Sequence, residues 1–152
     1  MNLSNKSEKI KYSEFHYIFV EKIGPFDQTA MSAWQDVHKL FNTIEIDATK
    51  TGAMALFKIE PLMIYRAGFT CDKKPAHLPT GLQYLKYQGG EFAKYTLKGS
   101  YSHLPEAWGK VIELAQSEKL HVRDDFYIEN YANDPEKTSE VELITELMIP
   151  TC

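Results

Sequence analysis

The stretch EFHYIFVEKIGPFDQTAMSAW, residues 14–34, decides how this chain is read. Its first part alternates: Phe15, Tyr17 and Phe19 fall on one side of an extended backbone, and His16, Ile18 and Val20 on the other. That two-residue period is the pattern of a β-strand. Gly24-Pro25 stops it, and Asp27 stands where a helix cap belongs. From there the period lengthens, with Ala30, Ala33 and Trp34, Val37, Leu40 and Phe41, and Ile44 recurring at helical spacing. Gly52 then opens AMALFKIEP, and LMIYRAGFTC follows Pro61, two β-rich runs close enough in sequence to form a hairpin. The unit reads strand, helix, strand, strand.

The same order returns after DKKPAHLPTG, residues 72–81, whose two prolines and one glycine suit a linker. QYLKYQGGEFAKYTLKGSY, residues 83–101, predicts a strand broken or bulged around Gly89-Gly90 that again runs into a glycine turn. Ser102 occupies a cap position, Pro105 fits a first helical turn, and Leu104, Ala107, Trp108, Val111, Leu114 and Ala115 make a second helical stripe. DDFYIENYA and EVELITELMIP predict a last hairpin across the turn-rich NDPEKTS. Landmarks recur at one separation: Gly99 lies 75 residues after Gly24, Trp108 lies 74 after Trp34, and Asp134-Pro135 lies 74 after Glu60-Pro61. Such constancy indicates an internal duplication.

The predicted fold is therefore α+β, with tandem strand-helix-strand-strand modules related by pseudo-two-fold symmetry and an antiparallel sheet carrying both helices on one face. One domain spans residues 1–152, with a first module over about 12–72, a linker over about 73–81 and a second module over about 82–150. Six strands roughly 4.8 Å apart make a face about 29 Å wide, whereas two helices about 10 Å across cover about 20 Å. A central groove between the helices is the geometric expectation, and ligands favour such concavities.

Composition narrows the function classes. The 152 residues are 43% apolar and 25% charged, the balance of a soluble globular domain. A formal charge of −4, with Lys73-Lys74 the only paired basic step in the first half, argues against direct nucleic-acid binding. The polar start MNLSNKSEKIKYSE lacks a signal-peptide pattern, and no run of eighteen apolar residues occurs, so a cytoplasmic protein without membrane segments is expected. Cys71 and Cys152 make no disulfide framework. The five histidines lack ligand spacing and Gly89-Gly90 is not a phosphate loop, so neither metal nor cofactor is expected.

The residues YTLKGSYSHLPEAWGKVIELAQSEKLHVRDDFYIENYANDPEKTSEVELITELMIP resemble the second half of the GyrI-like effector-binding domains, which also serve as ligand-sensing domains of AraC-type and multidrug-responsive transcription regulators. The resemblance rests on a Gly-Ser-Tyr turn before a helix containing Ala107-Trp108, then Phe-x-x-Glu-x-Tyr, Asn-Asp-Pro, an acidic loop and a terminal TELMIP strand. KIGPFDQTAMSAW resembles the preceding module more loosely. The resemblance implies two modules around a cleft for apolar, often cationic, small molecules, with a cleft glutamate as the cation's partner. By position that glutamate is Glu129, and the neighbouring aromatic is Tyr131. Regulators of the family carry a helix-turn-helix segment before this domain. Here about a dozen polar residues precede the first predicted strand, which implies a stand-alone form.

Alternation independently places Tyr127, Glu129 and Tyr131 on one face of a strand and Phe126, Ile128 and Asn130 on the other. A carboxylate between two tyrosines suits an aromatic cation. Trp108 and Trp34, on the helical stripes, and Phe57, the repeat counterpart of Tyr131, complete the candidate ligand-binding set. Ala55 stands where the repeat would put Glu129, so the charge is on one side only. The leading expectation is a protein that senses or sequesters a hydrophobic, cationic small molecule. The resemblance also implies an alternative, since some stand-alone GyrI-like proteins hydrolyse strained electrophiles: a hydrolase of cyclopropane-type substrates with Glu129 as general base. A third reading, which the family resemblance implies, is a module for a protein partner, DNA gyrase or a regulator.

Overall fold

The computed structural model of the protein describes residues 1–43 and 45–152; Ile44, the last position of the first predicted helical stripe, lies outside the described residues. The elements in chain order are β1 (Asn2–Leu3), β2 (Glu8–Tyr12), β3 (Phe15–Ile23), α1 (Phe26–Thr43), β4 (Lys50–Lys58), β5 (Ile64–Cys71), β6 (Gln83–Tyr87), β7 (Gly90–Lys98), α2 (Leu104–Ser117), β8 (Tyr127–Tyr131) and β9 (Ile144–Thr151). Short 3-10 turns at Tyr101–His103 and Glu140–Glu142 precede α2 and β9. Two compact units result, one of residues 13–89 and one of residues 1–12 with 90–152. The α+β class with antiparallel strands and two helices is as the sequence predicts.

In the unit of residues 13–89, β3 pairs with β5 on one side and β6 on the other, and β4 pairs with the far side of β5. Helix α1 lies over β3 and β5 and turns Ala33 and Val37, both without solvent exposure, toward them. In the other unit, β9 lies between β7 and β8, and the free side of β7 takes up β1 and β2. The α2 residues Ala107, Val111 and Ala115 pack on Tyr95 and Leu97 of β7 and Leu147 and Ile149 of β9. Side chains the size of Val111, Leu97, Leu147 and Ile149 each stabilise the fold by about 1.5–3 kcal/mol when fully buried.

Three expectations are corrected. The strand read as bulged at Gly89-Gly90 is two strands: β6 belongs with β3, and two successive glycines at φ +83° and +135° turn the chain into β7. The segment over 73–81 accordingly joins β5 to β6 inside one unit, and the boundary falls near residue 89 rather than 82. Next, the polar first dozen residues are not a bare lead. Leu3 pairs with Leu97 and Ile10 with Phe92, and the Ser7 hydroxyl donates to Glu118 Oε1 at 2.7 Å while Tyr95 donates to Oε2 at 2.5 Å. Finally, Ser102 sits within the 3-10 turn, where its N–H donates to Ser100 Oγ, and α2 starts after His103 without a side-chain cap. Asp27 likewise lies in the first turn of α1 rather than ahead of it. Among the described residues no helix is long and apolar enough to cross a membrane.

The duplicated strand-to-helix turns share one backbone device: Gly24 has φ +133° and Gly99 has φ +125°, a region that side chains rarely adopt. Nothing lies within 4 Å of a Cβ built on Gly99, so substitution there tests backbone strain alone. Gly99→Ala should lower the unfolding free energy by about 1–3 kcal/mol in urea titration. An unchanged midpoint would overturn this account of the turn.

Candidate functional site

Pairing with β9 fixes β8 in register, Glu129 opposite Leu147 and Tyr131 opposite Thr145. Leu147 belongs to the core beneath α2, so the face of β8 carrying Tyr127, Glu129 and Tyr131 is the helix face. One turn into α2, Trp108 reaches down from the edge of the buried stripe, and its Nε1–H donates to Glu129 Oε1 at 2.6 Å. From the strand itself, the Tyr131 hydroxyl donates to Oε2, also at 2.6 Å. Glu129 is 8% exposed. Among the described residues no lysine, arginine or histidine forms an ion pair with it.

Aromatic rings enclose the carboxylate. The Trp108 ring meets Tyr127 edge-on at 5.9 Å between centroids, and Tyr101 meets Tyr131 edge-on at 5.4 Å. Burial pushes the Glu129 carboxyl above the ordinary glutamate value, opposed by the hydrogen bonds from Tyr131 and Trp108. Burial, with the nearby carboxylates of Asp134 and Glu129, also raises the Tyr101 phenol. The Tyr101 hydroxyl oxygen is buried and has no hydrogen-bond partner among the described residues.

Of the residues singled out in the sequence, the structure brings Glu129, Tyr131, Tyr127 and Trp108 together. Trp34 and Phe57 belong to the unit of residues 13–89. There Trp34 Nε1 donates to the Tyr65 hydroxyl at 2.9 Å, and Phe26 contacts both Phe57 and Tyr65 at centroid distances of 5.4 and 5.7 Å. Ala55, the counterpart of Glu129, has no solvent exposure. Tyr101 is the addition that sequence reasoning missed. The Gly-Ser-Tyr turn was visible, but a 3-10 turn has neither the strand nor the α-helix period, so the direction of its side chain could not be read.

Against protein-family models, the chain matches the GyrI-like small molecule binding domain over residues 6–151. The protein belongs to the GyrI-like family. No curated protein matches the chain. Solved structures share the GyrI-like fold at low identity. The C-terminal domain of EcmrR is 13% identical, with a TM-score of 0.80 over 100% of this chain and 99% of that one. SAV2435, solved bound to tetraphenylphosphonium, is 12% identical, with a TM-score of 0.73 over 97% and 94% of the two chains. A hydrolase from Listeria innocua is 14% identical, with a TM-score of 0.63 over 98% and 93%.

A raised native pKa means that the folded state holds the Glu129 proton more tightly than the unfolded chain does. This group's contribution to stability is therefore present below the unfolded glutamate value and is lost as pH rises through the raised native value. Ligand-free Glu129→Gln should exceed the parent's thermal midpoint at pH 7, and its advantage should shrink on acidification. Equal midpoints at every pH would show that the burial of this carboxylate costs nothing.

Proposed function

We propose that this GyrI-like domain binds hydrophobic organic cations at Glu129. The observation that carries the reading is a carboxylate 8% exposed, ringed by aromatic side chains and without a cationic partner among the described residues. Both donors it has are neutral, so they relieve its desolvation without cancelling its charge. A cation about 4 Å away gains about 4 kcal/mol at an effective dielectric of about 20, and a ring face adds about 0.5–2 kcal/mol. Burying ~150 Å² of apolar ligand surface contributes roughly 4 kcal/mol more, and the loss of ligand freedom consumes much of the sum. Micromolar affinity is the resulting expectation. The tetraphenylphosphonium on SAV2435 supports the choice of ligand class.

Calorimetric titration with tetraphenylphosphonium tests the proposal. Glu129→Gln should weaken binding at least about tenfold, a neutral aromatic of similar size should lose much less, and affinity for the cation should fall as pH drops below the raised Glu129 value, where the carboxyl becomes neutral. Equal affinity in parent and variant would remove Glu129 from recognition.

A second reading is hydrolysis of a strained electrophile, favoured by the buried Tyr101 hydroxyl beside a carboxylate whose proton affinity is raised. Glu129 would take a proton from water as the water oxygen bonds to a cyclopropane carbon. The ring C–C bond would break toward an adjacent carbonyl, and a tyrosine hydroxyl would protonate the departing carbon. Turnover of a cyclopropane-bearing ketone should then vanish in Glu129→Gln while binding persists. Undiminished turnover in the variant would exclude this mechanism.

A further inference from the structure

A cavity of about 170 Å³ lies between the C-terminal half of α2, the segment leading to β8, and β9. It is open to solvent on one side and lined by Ile112, Ala115, Gln116, Leu120, the half-exposed Val122, Tyr127 and Ile149, and Glu129 is not among its walls. An apolar cavity of about 150 Å³ is large enough to take up a benzene molecule. The internal duplication indicates what this one accepts.

The repeat fixes the equivalences. Trp108 answers Trp34 in the helices, which equates Ala115 with Phe41. In the sheets the pair Glu129 and Leu147 answers the pair Ala55 and Ala67, which equates Ile149 with Phe69. Where one unit has an alanine and an isoleucine beside an open cavity, the other has two phenyl rings with centroids 4.8 Å apart at 75°. The Lys50 ammonium rests on that pair, 4.1 Å from the Phe69 centroid and 4.7 Å from the Phe41 centroid. The unit of residues 13–89 thus fills this place from its own chain, with a ring. The other unit leaves the place open and adds Tyr127, whose counterpart is Ala53, as an aromatic wall.

We infer that the cavity is a binding site for a single uncharged aromatic ring, which takes the place that Phe41 occupies in the other repeat. Its chemistry agrees. No carboxylate lines it, so it lacks the charge partner that Glu129 offers a cation, and the Tyr127 ring offers a partner for the edge-to-face geometry that aromatic pairs prefer. This site goes beyond the cation reading and stands without it.

Toluene is a suitable probe. In the parent protein it should raise the thermal midpoint saturably and shift the methyl resonances of Ile112 and Ile149. Ala115→Phe, which installs the other repeat's ring, should weaken toluene binding at least tenfold, and Ala115→Leu should weaken it less. Glu129→Gln should leave toluene binding unchanged. No saturable response in the parent, or undiminished binding in a folded Ala115→Phe, would overturn the inference. If Ala115→Phe fails to fold, undiminished binding in Ala115→Leu does the same. A protein that takes toluene but no organic cation keeps this site and loses the proposed role of Glu129.

Discussion

Two short hydrogen bonds, from an indole and a phenol, converge on one buried carboxylate, and the site is organised by the requirement to satisfy it. Removing a carboxylate from water costs several kcal/mol unless its oxygens find donors. Glu129 finds one on the helix above and one on its own strand, so Trp108 and Tyr131 are held in place by the group they satisfy. The aromatic surroundings have opposing effects. They disfavour the charged form, which raises the proton affinity of Glu129, and by keeping the local dielectric low they strengthen its attraction for any cation that arrives. Under the proposed function, a proton and an organic cation would therefore compete for the same oxygens.

Much of this was legible because it rests on local pattern. Two-residue alternation put Glu129 with Tyr127 and Tyr131, and constant spacing exposed the duplication, because both are properties of a few neighbouring residues. What failed depends on partners distant in sequence. Nothing in QYLKY says that β6 pairs with β3, so two glycines looked like a bulge within one strand. The first dozen residues look like a solvated lead because Glu8, Lys9 and Lys11 surround Ile10, yet charged residues are what an edge strand carries. Trp108 entered the candidate set from its place on the helical stripe, but its hydrogen bond to Glu129 could not be read there. Periodicity locates a ring but cannot tell where its N–H points.

Duplication followed by divergence explains the chemistry better than either unit does alone. Both helices carry a tryptophan whose Nε1–H donates to a side chain of the neighbouring sheet, Tyr65 in one unit and Glu129 in the other. The tryptophan donor is shared while its acceptor differs, a neutral hydroxyl on β5 in one unit and an acid on β8 in the other. The same divergence recurs at Phe41 and Ala115, where one copy carries bulk and the other leaves space. Each difference moves one unit toward self-sufficiency and the other toward openness.

The pairing of β1 and β2 with β7 bears on the order in which the chain assembles. Residues 13–89 form a contiguous unit and can condense as soon as they leave the ribosome, because every strand they need has already emerged. The opening strands have no such partner at birth. They must wait, with the whole first unit intervening, until β7 is made, and the closure of that long loop is the entropic toll on completing the later unit. Residues 1–12, made before residues 13–89, are thus among the last to find their place.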